Sequence, residues 1–196
     1  KWEGLEVAVT PTRPEMGNRT VPFTRELYIE QDDFMLDPPG KYFRLCPAKE
    51  VRLKGAYYIR YASHETDENG NITVVHCTYD PESRGGETPD GRKVKGTLHW
   101  ISAEHCTDAQ VRLYERLFNV ENPSDETGVS SFADNLNPHS LEILEGCKVA
   151  EKMRDAAAGD TFQFMRQGYF CIDPDSSPEK PVFNRTVALK DSFAKK

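Results

Sequence analysis

Residues Lys49 to Tyr61 read KEVRLKGAYYIRY. As a strand this run has two faces, because side chains alternate with period two. Val51, Leu53, Tyr57, Ile59 and Tyr61 fall on one face and can build a core. Arg52, Lys54, Tyr58 and Arg60 fall on the other. Three cations and a ring suit phosphates and unstacked bases: the cations neutralise or hydrogen-bond, and the ring offers a stacking surface. The plainer alternative is a solvated strand face that happens to be basic.

Charge elsewhere gives this stripe its context. The chain of 196 residues carries 25 Lys and Arg against 32 Asp and Glu, a net charge of −7. A global excess of acid argues against nonspecific binding to nucleic acid. Yet Lys41 to Arg60 holds Lys41, Arg44, Lys49, Arg52, Lys54 and Arg60 against the single acid Glu50. A basic stripe on an acidic body permits a localised, shape-dependent contact with a polyanion.

Other chemistries find little support. Cys46, Cys77, Cys106, Cys147 and Cys171 are scattered without a CxxC pair, which predicts free thiols in a reducing, cytoplasmic setting. His76-Cys77 and His105-Cys106 lack the clustered spacing of a zinc site, so no metal is expected. The sequons at Asn18, Asn71 and Asn184 read as chance matches. No P-loop, GxSxG, HExxH or GxGxxG is present. No apolar run approaches the roughly 20 residues of a membrane helix, and no membrane association is expected. The start at Lys1-Trp2-Glu3, without Met or a signal sequence, reads as a piece of a longer chain.

Turn signals between alternating runs predict a mainly β protein. Strands are expected at Val7–Thr10, Arg25–Glu30, Val51–Tyr61, Ile72–Tyr79, Lys93–Ile101 and Val182–Leu189. The Asn69-Gly70 step predicts a hairpin between the third and fourth of these. Val111–Phe118 fits a strand or two helical turns, with strand favoured by its surroundings. Phe132–Asn135 and Lys152–Ala158 are the helix candidates. Phe162–Met165 and Tyr169–Ile172 are expected to pair around Arg166-Gln167-Gly168. Many short antiparallel strands with few short helices mean barrels or sandwiches, and two small barrels fit this length.

The segments RELYIEQDDF (25–34), KYFRL (41–45), KEVRLKGAYYI (49–59), CTYDPES (77–83), DGRKVKGTLHWISAEH (90–105), VRLYERLF (111–118), TFQFMRQGYFCID (161–173) and KPVFNRTVALKD (180–191) together resemble the C-terminal anticodon-binding region of the bacterial-type glutaminyl-tRNA synthetases. The match runs in order along nearly the whole chain. It implies two β-barrels of the ribosomal-protein-L25-like type. The expected division is a discontinuous proximal barrel from 1–26 and 119–196, and a distal barrel from 27–118. It also implies that the catalytic domain, which binds ATP and glutamine, lies upstream. The chain itself is then expected to hold no cofactor and to catalyse nothing.

Site residues follow from the same resemblance. Arg44 matches the family arginine that contacts the third anticodon base, a guanine. Arg52 and Lys54 match the pair near the first base. Lys54 departs from the arginine of the bacterial pattern and offers a point charge instead of a planar fork. Gln163 matches the glutamine that reads the central uracil, and Arg166 in the same segment is expected to contact the tRNA. Met165 stands where some relatives have Glu. A further arginine of the central-base pocket lies upstream of Lys1. Each has a plainer alternative: Arg44 paired with a neighbouring acid, Lys54 as solvated surface, Gln163 as a satisfied sheet-edge amide. Lys93 and Lys95 read as surface or phosphate contacts.

The expected partners are the anticodon loop of a glutamine tRNA and the catalytic domain of the same chain, in a monomer. Rival readings are the homologous barrel of a glutamyl-tRNA synthetase, a stand-alone L25-like RNA-binding or structural barrel, and an acidic protein-interaction module.

Overall fold

The computed structural model describes residues 2–10, 13–47, 49–124, 127–128 and 131–189. Pro11 and Thr12, just after the strand expected at Val7–Thr10, and Lys190 and Asp191 at the end of the last matched segment, lie outside the described residues. The architecture is mainly β, as the turn pattern predicted. Its helical turns are all short 3-10 segments, including Phe132–Asn135 and Glu151–Asp155 at the two sites predicted helical.

Two compact units divide the chain, Lys1–His105 and Cys106–Lys196. This division differs from the expected 1–26 with 119–196 against 27–118. The physical reason lies at both ends of the first unit. Strand β1 (Glu3–Ala8) pairs antiparallel with β2 (Asn18–Phe23), and Leu5 of β1 is buried with Leu45, Val51, Leu53, Ala56, Tyr57, Ile59, Leu98 and Trp100. Residues 106–114 form a strand that pairs wholly within the second unit.

In the first unit, β3 (Leu27–Tyr28), β4 (Glu50–Leu53), β5 (Tyr58–Thr66), β6 (Ile72–Asp80), β7 (Thr97–Leu98) and β8 (Ile101–Ser102) follow in order. The main sheet runs β6-β5-β4-β7, and β3 pairs with β8. The β5–β6 hairpin turns through Asp67–Asn71, where Asp67 Oδ1 accepts from the Asn69 and Asn71 amides. The run 49–61 is two strands, not one. The chain reverses between Leu53 and Tyr57, where the Leu53 amide donates to the Tyr57 carbonyl at 2.8 Å and Gly55 has φ +68°. Arg52 therefore faces Tyr58 across the hairpin. Most of the strand expected at Lys93–Ile101 is irregular, and β7 pairs parallel with β4, against the antiparallel expectation.

In the second unit, β9 (Cys106–Tyr114), β10 (Leu141–Ala150), β11 (Thr161–Phe164), β12 (Gly168–Ile172) and β13 (Val182–Ala188) form one sheet in the order β10-β9-β13-β12-β11. The β13–β9 pairing is also parallel. Ala109, Val111, Val149, Phe170, Ile172 and Phe183 make its core. Phe164 lies 4.5 Å from the Phe170 ring and 5.1 Å from Phe183. Fully burying such side chains stabilises by about 1.5–3 kcal/mol each. The same packing turns the odd-numbered side of β11 outward, where Gln163 sits.

Candidate nucleic-acid interface

The KYFRL segment is anchored at its second and fifth residues. Tyr42 and Leu45 are buried, and Phe43 and Arg44 face outward between them. The Tyr42 hydroxyl donates to the Asp32 carbonyl at 3.0 Å, and burial pushes its pKa up to about 12. The Leu45 amide donates to the Asp33 carbonyl. Arg44 donates from Nη1 to the Asp32 carbonyl at 3.0 Å, and its Nε lies 3.4 Å from Oδ1 of the fully buried Asp33. The expected alternative, a pairing with a nearby acid, is thus realised. It does not use up the group: a guanidinium has five donors, and Arg44 makes no other hydrogen bond among the described residues. A buried carboxylate behind a half-exposed arginine fixes the fork while leaving its rim available.

Arg52 occupies a different setting. It lines an open cleft of about 500 Å³ together with Tyr58, Thr88, Arg92, Lys93 and Lys95. Its Nη2 donates to the Tyr58 hydroxyl at 3.2 Å, and its guanidinium carbon lies 5.4 Å from the Tyr58 ring centre. Its Nε is buried without a hydrogen-bond partner. Tyr58 itself is only 2% exposed and donates to the Gly86 carbonyl. This corrects the basic-face expectation: Tyr58 is the floor under Arg52, not an open stacking ring. Arg60 is likewise committed, with Nε 3.2 Å from Glu50 Oε1. The strand face that looked uniformly basic is partly neutralised by Glu50, on β4 of the same hairpin.

Arg92 shares that acid with Arg60. It contacts Glu50 at 2.9 Å and Asp90 at 2.9 Å, and also pairs with Asp80. The Arg92 hydrogen bond, followed by Arg60, holds the Glu50 carboxyl below its ordinary pKa despite burial. A folded-state pKa below the unfolded value of about 4.3 gives stability that is present above that pH and lost as pH falls through the folded value. Glu50→Gln is expected to cost about 1–2 kcal/mol at neutral pH, after allowance for solvent reach. The gap from wild type should shrink steadily below about pH 4. Urea midpoints at pH 7 and pH 3.5 check this, and an unchanged gap would refute it.

Lys54 sits in the β4–β5 turn and does not line the cleft. Its amide donates to the Leu98 carbonyl, and its carbonyl accepts from the Trp100 indole, each at 3.0 Å. Partial burial draws its ammonium pKa below the ordinary value, and the like charge of Arg19 adds to this. In the second unit, Gln163 is exposed beside its cross-strand partner Tyr169, itself 44% exposed. The Gln163 amide makes no hydrogen bond among the described residues, so it is not a satisfied edge amide. Arg166 is exposed at the turn and adopts φ +65°, an unusual conformation for a non-glycine residue. Sequence reasoning overlooked Asp33, Phe43 and Arg92. Period two in KYFRL would have put Phe43 on the face of buried Leu45, and nothing local marks an acid in QDD as buried.

An outward arginine on a buried acid, a cationic cleft and a free amide on a hairpin are the tools for reading single-stranded bases. Comparison with known proteins gives the family. Two models, both described as the anticodon-binding domain of the class I (E and Q) tRNA synthetases, match residues 1–80 and 97–173. The chain belongs to this family. Its relatives include the glutamine–tRNA ligases of Vibrio cholerae, 53% identical over 194 residues, and of Bradyrhizobium diazoefficiens, 50% identical over 193. That of Pseudomonas putida is 50% identical over 192. Each alignment covers 97–98% of this chain and 34% of the relative, so the chain spans about a third of the length of these curated relatives. Both β units of this anticodon-binding module are represented among the matched residues. No described helix is long and apolar enough to cross a membrane.

Proposed function

We propose that this module reads the anticodon of a glutamine tRNA for a ligase that joins glutamine to that tRNA using ATP. The observation that supports this most is Arg44, held on buried Asp33 with donors to spare. In this reading Arg44 contacts the third anticodon base, Arg52 and Lys54 lie near the first, and Gln163 with Arg166 serves the central one. ATP and glutamine bind a catalytic domain of the same chain, the protein works in the cytoplasm as a monomer, and this module needs no cofactor. Lys54 supplies a mobile charge where a fork would give two aligned bonds, so readout of the first base is expected to be the weaker.

The homologous glutamyl-tRNA reading is separated by a swap. The protein should bind a stem-loop with the glutamine anticodon more tightly than one with the glutamate anticodon on the same stem, by about 1–3 kcal/mol per discriminated base, by analogy with bidentate base contacts in DNA. Equal binding to both, and to a scrambled loop, would leave only an electrostatic surface.

A further inference from the structure

Phe43 is a half-exposed ring flanked by two cations. It is 50% exposed, and the groups beside it are cations: Lys49 Nζ lies 5.9 Å from the ring centre and Lys95 Nζ 6.0 Å. Its backbone is fixed from several sides. Lys49 Nζ donates to the Tyr42 carbonyl at 2.6 Å. The Phe43 carbonyl packs so closely on Gly96 that any side chain there would collide with it. Tyr42 and Arg44, on either side, are both bonded to the Asp32 carbonyl. Lys95 also belongs to the rim of the Arg52 cleft and makes no ion pair among the described residues.

An exposed ring on a rigid backbone loses little entropy when something stacks on it. Two ammonium groups near 6 Å sit at the outer limit of attraction to the ring face. Their long stems let them swing aside to charges arriving with the ligand. A planar, electron-rich group with anionic links before and after it meets all three side chains at once, and an unpaired nucleotide in an RNA loop is such a group. We propose that Phe43 is a stacking platform for an unpaired loop base next to the one that Arg44 reaches, with Lys49 and Lys95 meeting the flanking phosphates. The inference rests on the anticodon-loop reading above and adds a contact that reads shape, not base identity.

The test uses the protein with anticodon stem-loops carrying 2-aminopurine at one loop position at a time. Phe43→Leu keeps the apolar volume and removes the ring, and Phe43→Trp keeps a ring; Arg44→Ala and a scrambled loop run alongside. One loop position should show strong quenching on binding to wild type and to Phe43→Trp. Phe43→Leu should lose that quenching and bind about tenfold more weakly. Unchanged affinity and quenching in Phe43→Leu, while Arg44→Ala still loses preference for the correct loop, would overturn the platform and leave the anticodon reading intact. Equal binding of correct and scrambled loops by all four proteins would overturn both. Matched thermal midpoints of wild type and Phe43→Leu confirm that folding is not what was changed.

Discussion

Replacing Gly168 by alanine is expected to destabilise the second unit by about 3 kcal/mol or more, a large share of the stability of a small domain. Gly168 begins β12 with φ +139°, a backbone state closed to residues with a side chain. A Cβ there would run into the Val187 carbonyl oxygen of the neighbouring strand. The backbone cannot move aside cheaply, because Gly168 is in register with Phe164 on one side and Ala188 on the other. Arg166, two residues earlier, offers the internal contrast. It also has positive φ, but in the left-handed region that glycine adopts freely. Arg166→Gly relieves strain in the fold while loosening the unfolded chain, so its stability should change by less than about 1 kcal/mol. In the proposed function it should nevertheless weaken binding to the anticodon loop. Urea unfolding of the two variants, followed by tyrosine and tryptophan fluorescence, checks the contrast. Similar losses in both would refute it.

Arg44→Ala is expected to produce the largest loss in RNA binding among the site variants. The guanidinium is already oriented by the Asp32 carbonyl and the Asp33 carboxylate, so little rotamer entropy is spent on contact. In the proposed function, loss of this charged, planar donor pair should weaken binding by about 1–3 kcal/mol, or roughly 5- to 150-fold. Arg44→Lys should not restore it, because an ammonium cannot present two parallel donors. Asp33→Asn should fall between wild type and Arg44→Lys. It keeps the fork but loosens its orientation, and the buried position leaves an amide where a carboxylate met a cation. Filter-binding or anisotropy titrations at one fixed salt concentration check the order wild type, Asp33→Asn, Arg44→Lys, Arg44→Ala. Full rescue by lysine would show that charge alone matters.

Legibility from sequence followed the range of the interactions involved. Turn chemistry is local, so the hairpins at Asp67–Asn71 and Arg166–Gly168 were visible. The break at Lys54–Ala56 was hidden, since the apolar and polar residues go on alternating through the reversal. Strand β2 was missed because Pro22 reads as a breaker, although a two-stranded edge pairing tolerates it opposite Gly4. Lys93–Gly96 looked like a strand, yet close packing of Gly96 on Phe43 and the pull of Arg92 toward Glu50, Asp80 and Asp90 leave it irregular. Among site residues, Gln163 was named through the resemblance, and its exposure fits alternation against Phe162 and Phe164. The burial of Tyr58 did not follow, because period two says which residues share a face but not which face another loop will cover. Asp33 acts through Arg44 on another loop segment, and Arg92 through Glu50 and Asp80 on other strands, and no local pattern records that.

The claim on which the rest depends is that Arg44 reads one particular base. A double-mutant cycle between Arg44→Ala and substitution of the third anticodon base tests it most directly. Four affinities are measured: wild type and Arg44→Ala, each with the guanine loop and with the substituted loop. If Arg44 contacts that guanine, the base change should cost wild type about 1–3 kcal/mol and the alanine variant almost nothing. If both proteins lose the same amount, the two changes act independently and Arg44 does not read that base.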